Sequence, residues 1–382
     1  MEISRIETFM VPPRWLFVRV ETDDGYVGWG EPVVEGRAEV VRAAVGVLGE
    51  YVIGRDPSRI EDLWQVMTKG GFYRGGPVLS SAVAGIDQAL WDIKGKRYGV
   101  PVHQLLGGPV RDKVRAYAWV GGDEPCEIRD AVTAQVEAGF TAVKMNGCGP
   151  MTPLATRAEV RACVLRAQTA REVLGEERDF ALDFHGRVSP ANARRILPLL
   201  AESAPMFVEE PVLGEYADAL PELVRASPIP LALGERLYGR REFLAPLQAG
   251  VAVVQPDVSH AGGISELRRI AALAETYGAH LAPHCPLGPI ALAASLQVAF
   301  TTPNFLIQEQ SIGMHYNTGS AEPLDYVVDT EPFRFHAGFL SRTERPGLGV
   351  EVDEAAVRSA DARGHAWRSP VWRYADGSFA EW

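Results

Sequence analysis

Asp183, Glu209 and Glu235 follow one another at steps of 26 residues, and each closes a short apolar run, at 180–182, 206–208 and 231–233. Such a step holds one strand, one helix and two short loops of a β/α barrel. Side chains at the C-terminal ends of successive barrel strands converge on one mouth, so carboxylates distant in sequence become neighbours. Three clustered carboxylates need a cation, and oxygen-only ligands favour a hard one: Mg²⁺ is expected, and Mn²⁺ fits the same donors. Glu210 competes with Glu209 as the second ligand; strand alternation turns only one of them inward, and the spacing favours Glu209.

The other expected strand ends are also polar. Lys144 and Asn146 end the second strand, His185 stands two residues beyond Asp183, and Asp257 follows the sixth strand. His284 ends the seventh and Glu309 the eighth. Asp257 can accept a hydrogen bond from the His284 ring, which fixes the tautomer and makes the other nitrogen a better base. Removing a proton beside a carboxylate leaves a doubly negative enediolate. A divalent metal, Lys144 and a protonated Glu309 could stabilise it. His284 would take the α-proton and His185 would assist departure of a β-hydroxyl, a dehydration giving a 2-keto-3-deoxy acid; supporting a ligand is the alternative role for His185. His260 is expected to shape a loop, and Cys285 to be a small buried residue.

Positioning these groups requires an α/β fold: a (β/α)₇β modified TIM barrel with an α+β cap. Barrel strands are expected at 114–120, 141–145, 179–184, 206–209, 230–235, 251–255, 280–283 and 305–308. Helices between them stop at Gly139 and Gly278. Residues 1–112 lack that rhythm. They read as strands at 3–11, 16–21 and 26–29, then helices at 39–51, 58–67 and 80–98, an α+β capping domain. The barrel occupies 113–310. A tail, 311–382, with a strand-like piece at 348–352, is expected to pack back on the cap.

At 382 residues the chain exceeds one ordinary core. Its formal net charge of −11 and lack of a basic tract argue against nucleic acid or anionic membrane as partner. Cys126, Cys148, Cys163 and Cys285 show no metal spacing and read as reduced thiols. Pro12, Pro13 and Arg14 interrupt the N-terminal apolar stretch, so no signal peptide is read, and no run is long enough to span a membrane. A cytoplasmic enzyme with a small-molecule substrate is the expectation.

These positions sit within longer stretches: Pro12-Pro13-Arg14-Trp15, Gly28-Trp29-Gly30-Glu31-Pro32, Gly71-Phe72-Tyr73-Arg74-Gly75-Gly76 and Gly85-Ile86-Asp87-Gln88-Ala89-Leu90-Trp91-Asp92. Leu182-Asp183-Phe184-His185-Gly186-Arg187-Val188, Ala282-Pro283-His284-Cys285-Pro286-Leu287-Gly288-Pro289, Trp372-Arg373 and Glu381-Trp382 complete the set. Over almost its whole length the chain resembles the enolase superfamily, mandelate racemase subgroup, whose members use a Lys or His base with Mg²⁺. The resemblance implies Mg²⁺ on Asp183, Glu209 and Glu235, His284 oriented by Asp257 as base, His185 as acid, and a homo-oligomer. It implies dehydration of an aldonate, with galactonate the first candidate and gluconate or a pentonate as alternatives. A non-catalytic sugar-acid-binding protein is the rival of another class.

Two departures narrow the activity. Racemases of the subgroup carry Lys-x-Lys on strand two, whereas Lys144-Met145-Asn146 lacks the second base, which leaves Asn146 to contact substrate. Strand six offers Asp257 where cycloisomerases and dipeptide epimerases carry Lys. From the cap, Arg14, Trp15, Tyr73 and Arg74 are candidates to meet the distal hydroxyls of a sugar acid, with ordinary packing the alternative for Trp15.

Overall fold

In the computed structural model, which describes residues 1–314 and 321–381, the chain opens with an antiparallel meander of β1 (Ile3–Val11), β2 (Trp15–Thr22) and β3 (Val27–Gly30). Three helices cover it: α1 (Ala38–Val52), α2 (Ile60–Lys69) and α3 (Pro77–Tyr98). Trp382, in the closing sequence pair, lies outside the described residues. Two glycines decide how close β3 comes to α3. A Cβ on Gly28 would sit 2.1 Å from the Ala89 carbonyl oxygen, and one on Gly30 would sit 1.9 Å from that of Gly85. The strand therefore lies directly on the helix backbone, and α3 is buried on nearly every side between the cap sheet and the second half of the chain.

After the short α4 (Val102–Leu105), strands and helices alternate. The barrel strands are β5 (Ala118–Val120), β6 (Ala142–Asn146), β7 (Asp179–Asp183), β8 (Val208–Glu209), β9 (Leu231–Leu233), β10 (Val253–Val254) and β11 (His280–Leu281), parallel and hydrogen-bonded in sequence order. Residues 305–308 complete the ring through bridges from Phe305 to Leu281 and from Gln308 to Ala116. The outer helices are α5 (Pro125–Glu137), α6 (Arg157–Leu174), α7 (Pro190–Ile196), α8 (Leu220–Ala226), α9 (Leu244–Ala249), α10 (Gly263–Thr276) and α11 (Pro289–Thr301). Their boundaries have local causes. Thr156 and Glu159 form a reciprocal capping box at the start of α6, worth about 1 kcal/mol. Gly139 and Gly278, just after α5 and α10, take φ of 90° and 69°.

Two expectations need correction. The first barrel strand is not one piece, because the chain changes partner midway. A separate β4 (Lys113–Arg115) pairs with the tail strand β13 (Phe339–Ser341), which also pairs with β12 (Phe335–His336). The Ala116 N–H donates to the Gly338 carbonyl at 2.9 Å, whereas the next N–H, of Tyr117, donates to Gln308 at 3.2 Å. The strand expected at 348–352 reduces to a single bridge between Val352 and Val327.

The tail touches both halves. Its last helix, α12 (Glu354–Ala362), lies along β1: Asp361 accepts the Met10 N–H at 2.8 Å, and Glu354 pairs with Arg19 at 3.1 Å. None of the described helices is long and apolar enough to cross a membrane.

Candidate active site

A buried apolar floor lies inside the ring, made by Tyr117, Ala142, Ala181, Phe207, Ala232, Val253, Ala282 and Ile307. Small alanines beside Phe207 and Tyr117 let a narrow barrel fill without voids. Because side chains alternate along a strand, the next inward position lies two residues further on. Those positions hold Trp119, Lys144, Asp183, Glu209, Gly234, Gln255, His284 and Glu309. The polar row is thus the floor register advanced by one step. That parity separates Glu209, in step with Phe207, from Glu210, which has φ of 46° and lies toward Arg236 at 3.5 Å.

One carboxylate breaks the parity. Glu235 follows Gly234, where a Cβ would come within 2.7 Å of the Gln255 backbone. Glycine allows the chain to press against its neighbour there and swing Glu235 into the mouth. Asp183, Glu209 and Glu235 then each offer an oxygen within 4.8 Å of the other two. Three hard donors at this separation, from three rigid strand ends, fit a divalent cation.

Lys144 is the hub beneath the trio. Its buried ammonium lies 2.7 and 2.8 Å from the two Glu209 oxygens, 2.8 Å from Glu309 and 3.6 Å from Asp183. The Tyr117 ring centroid lies 5.3 Å away. Burial disfavours the charge on Lys144, but Glu209 and Glu309 outweigh it and hold the group well above its ordinary range. Glu309 accepts from Lys144 through one oxygen and from the Cys285 N–H through the other at 3.0 Å.

His284 and His185 flank the trio. Nδ1 of His284 lies 2.7 Å from Oδ2 of Asp257, and Nε2 lies 3.5 Å from Glu235. Nε2 of His185 lies 3.1 Å from Asp183, whose other oxygen accepts the His185 N–H at 2.7 Å; that residue has φ of 48°. Burial lowers His185. For His284 burial acts the same way, but the charges of Glu235 and Glu309 reverse it and push the group well above its usual range. A cation on Glu235 would offset part of the negative charge that raises His284.

The cap candidates divide. Arg14 reaches the loop after His284, its guanidinium 3.5 Å from the Pro286 carbonyl oxygen, and stacks on Trp15 and Trp367. Trp15 itself is in the cap core, 1% exposed. Tyr73 is 88% exposed, its ring contact is with Phe72, and Arg74 donates to Gly71 within its own loop. That glycine-flanked loop points to solvent, and among the described residues Tyr73 and Arg74 meet none at the mouth. Asn146 does reach it, paired with Asp183 in the β6–β7 register, its buried Oδ1 without a partner among the described residues.

Other residues at the mouth were not singled out from the sequence. Gln255 donates to Glu209 at 2.6 Å. Arg236 lies 3.4 Å from Glu235 and donates to the His185 carbonyl at 2.8 Å, tying one carboxylate of the trio to the opposite histidine. His260, expected only to shape a loop, packs its ring 5.7 Å from that of His284 and faces Glu35 of the cap at 3.4 Å. Burial opposes charge on His260, but Asp257 and Glu35 lift it to about 9; Glu35 falls to about 2 as burial is outweighed by His260. The strand-end parity could have flagged Gln255. Glu35 has no such signal, because its position depends on how the cap docks.

An α+β cap over a barrel whose mouth holds three carboxylates, a buried lysine and a His–Asp pair defines an enzyme of the enolase-like class. Residues 127–356 match the family model described as "Enolase C-terminal domain-like", and residues 7–107 match "Mandelate racemase / muconate lactonizing enzyme, N-terminal domain". The chain belongs to the mandelate racemase/muconate lactonizing enzyme family of the enolase superfamily. It is 54% identical over the full length of both chains to a D-galactonate dehydratase of Variovorax paradoxus (strain S110), and 53% identical, again over both full lengths, to one of Cronobacter sakazakii (strain ATCC BAA-894). Among solved structures, an enolase from Agrobacterium radiobacter bound to sodium and L-malate superposes with a TM-score of 0.90 at 34% identity, covering both chains completely. A member of the enolase superfamily from Salmonella Typhimurium gives a TM-score of 0.86 at 29% identity, covering 94% of this chain and 97% of the other. The chain is an enzyme with the chemistry of a hydro-lyase.

Proposed function

We propose that this enzyme is a Mg²⁺-dependent sugar-acid dehydratase that converts D-galactonate to 2-dehydro-3-deoxy-D-galactonate and water. The observation that carries the reading is the placement of two histidines on either flank of one carboxylate trio, His284 beside Glu235 at 3.5 Å and His185 beside Asp183 at 3.1 Å. An elimination across two adjacent carbons needs a base and an acid at separate positions around one anchored carboxylate.

Asp183, Glu209 and Glu235 would hold the cation, which when bound supplies positive charge against the substrate carboxylate as the C2 proton leaves. Lys144 faces the same oxygens from below and adds a fixed positive charge. His284 Nε2 takes the C2 proton, while Asp257 holds Nδ1 and balances the imidazolium that results. His185 delivers a proton to the departing C3 hydroxyl, and the enol product ketonises. With Asn146 where a second lysine would stand, that position offers no base, which disfavours two-base racemisation at C2. Asn146, Arg14 and the Glu35–His260 pair would meet the hydroxyls further along the substrate.

The deciding experiment incubates the purified enzyme with Mg²⁺ and a panel of aldonates, assays 2-keto-3-deoxy acid, and runs His284→Asn alongside. Product from D-galactonate that disappears in the variant is the expected result. Product only from gluconate or a pentonate would move the substrate, and no product from any aldonate would overturn the proposal.

A further inference from the structure

Part of the backbone around the Asp257–His284 pair is held from the cap rather than from within the barrel. The Glu31 side chain, in the turn after β3, is wholly buried, and its two oxygens accept the Gly288 N–H at 2.7 Å and the Ala291 N–H at 2.9 Å. Gly288 ends the loop that starts at His284, and Ala291 lies in the first turn of α11. A cap-domain carboxylate thus closes the start of a barrel helix, supplying the acceptors that the sequence there, Gly288-Pro289, cannot provide. Gly288 has to be glycine for this, since a Cβ would lie 2.6 Å from a Glu31 oxygen.

The same turn also reaches the other member of the pair. Gln88 on α3 accepts the Glu31 N–H through Oε1 at 2.9 Å. Its Nε2 then donates to the Val258 carbonyl at 3.2 Å and lies 3.3 Å from Ser259 Oγ. Val258 and Ser259 directly follow Asp257, and the Ser259 N–H donates to Asp257 Oδ1 at 2.6 Å. The amide orientation is fixed by its partners, one a backbone donor and the other a backbone acceptor. Glu31 thus steadies the His284 loop and Gln88 the Asp257 loop, and the two are hydrogen-bonded to each other. Gly28, Gly30 and Gly85 make this possible by letting β3, Pro32 and α3 touch at backbone distance.

We infer that Glu31 and Gln88 form a cap-domain node of positioning residues that sets the distance and orientation of the Asp257–His284 pair, so that the power of the base depends on the docked cap. The inference rests on the reading of His284 as base. It gives a purpose to two buried polar side chains that bond to the two loops rather than to the carboxylate trio, where an inter-domain contact made only for stability could use apolar residues.

The test uses the Mg²⁺-loaded enzyme with D-galactonate and its C2-deuterated form. Glu31→Gln keeps shape but offers one acceptor oxygen to two N–H donors; Gln88→Leu keeps volume and removes all three Gln88 bonds. Trp91→Phe serves as control, since it removes a comparable buried cap–barrel bond, Trp91 Nε1 to Ser265 Oγ at 2.9 Å, away from both loops. Misplacement of a reacting group costs roughly tenfold to a hundredfold in rate. The expected result is therefore a kcat loss of that size in Glu31→Gln and Gln88→Leu, with KM nearly constant and the deuterium effect on kcat increased. Trp91→Phe loses thermal stability while keeping kcat. If Gln88→Leu does not fold, Glu31→Asp, one methylene shorter, serves in its place with the same expectation. Unchanged kcat and isotope effect in folded Glu31 and Gln88 variants, with His284→Asn inactive, would sink the inference alone. Turnover surviving in His284→Asn would remove the base assignment and this inference with it.

Discussion

Asp257 points Oδ2 at Nδ1 of His284 from 2.7 Å, while its Oδ1 takes the backbone N–H groups of Ser259 at 2.6 Å and His260 at 3.2 Å. The carboxylate is pinned by its own loop, so it orients the ring rather than following it. Asp257→Asn should keep the fold and lower kcat by about 100-fold or more, because a neutral amide no longer balances the imidazolium. Steady-state kinetics with KM measured separately checks this; a loss confined to KM would contradict it.

Lys144 is surrounded by Glu209, Glu309 and Asp183. Lys144→Met leaves buried carboxylates without their cation, a change that costs on the order of 3–5 kcal/mol. The loss should be greatest under chelation and smaller with excess Mg²⁺, which supplies the missing charge. Urea unfolding with EDTA and with Mg²⁺ measures both; equal losses in the two would show that the lysine does not share the metal's task.

Glu209 and Glu210 are adjacent, yet only Glu209 follows the inward register. Saturating Mg²⁺ at 100 times its Kd should stabilise the wild type by about 2.7 kcal/mol. Glu209→Gln and Glu235→Gln should lose most of that shift, whereas Glu210→Gln should retain it. A Glu210 variant as blind to Mg²⁺ as the other two would reassign the ligand.

Asp87 is wholly buried on α3, and burial lifts it to about 7 against the Ser265 hydroxyl and N–H that donate to it. A carboxyl raised in the folded state binds its proton more tightly there than in the unfolded chain. Its contribution is fully present below the unfolded value of 3.8 and is lost as pH rises through about 7. Asp87→Asn cannot titrate. Between pH 4 and pH 8 the wild type should therefore lose stability relative to the variant by on the order of a few kcal/mol. Chelated samples unfolded in urea across that range would reveal it, and a pH-independent difference would rule it out.

Much of the mouth was legible because strand ends leave a trace: a polar residue where an apolar run stops, repeated at one period. Asp183, Glu209, Lys144, His284 and Glu309 all lie on the same inward step. Glu235 was found through its spacing, although Gly234 takes it off that step. Contacts formed across the cap could not be read this way. Glu31, Glu35 and Gln88 meet barrel residues about 170 or more positions away in the chain, and no local pattern encodes a docking angle. Trp15 stayed open between substrate contact and packing for a related reason: an aromatic beside an arginine suits either, and only the folded chain shows its ring in the cap core.

The divided first strand gives the ring a fastening point. Seven strands are joined by ladders, but residues 305–308 connect to their neighbours through bridges at Leu281 and Ala116. The barrel is therefore less a hoop than a buckled strap. Above the buckle, the Lys144–Glu309 contact passes over the first strand and draws the eighth position toward the second. Sub-global opening should start there. The amides of Leu306 and Gln308 would then exchange with solvent before those of β6 and β7, and would slow when the charge above them is in place.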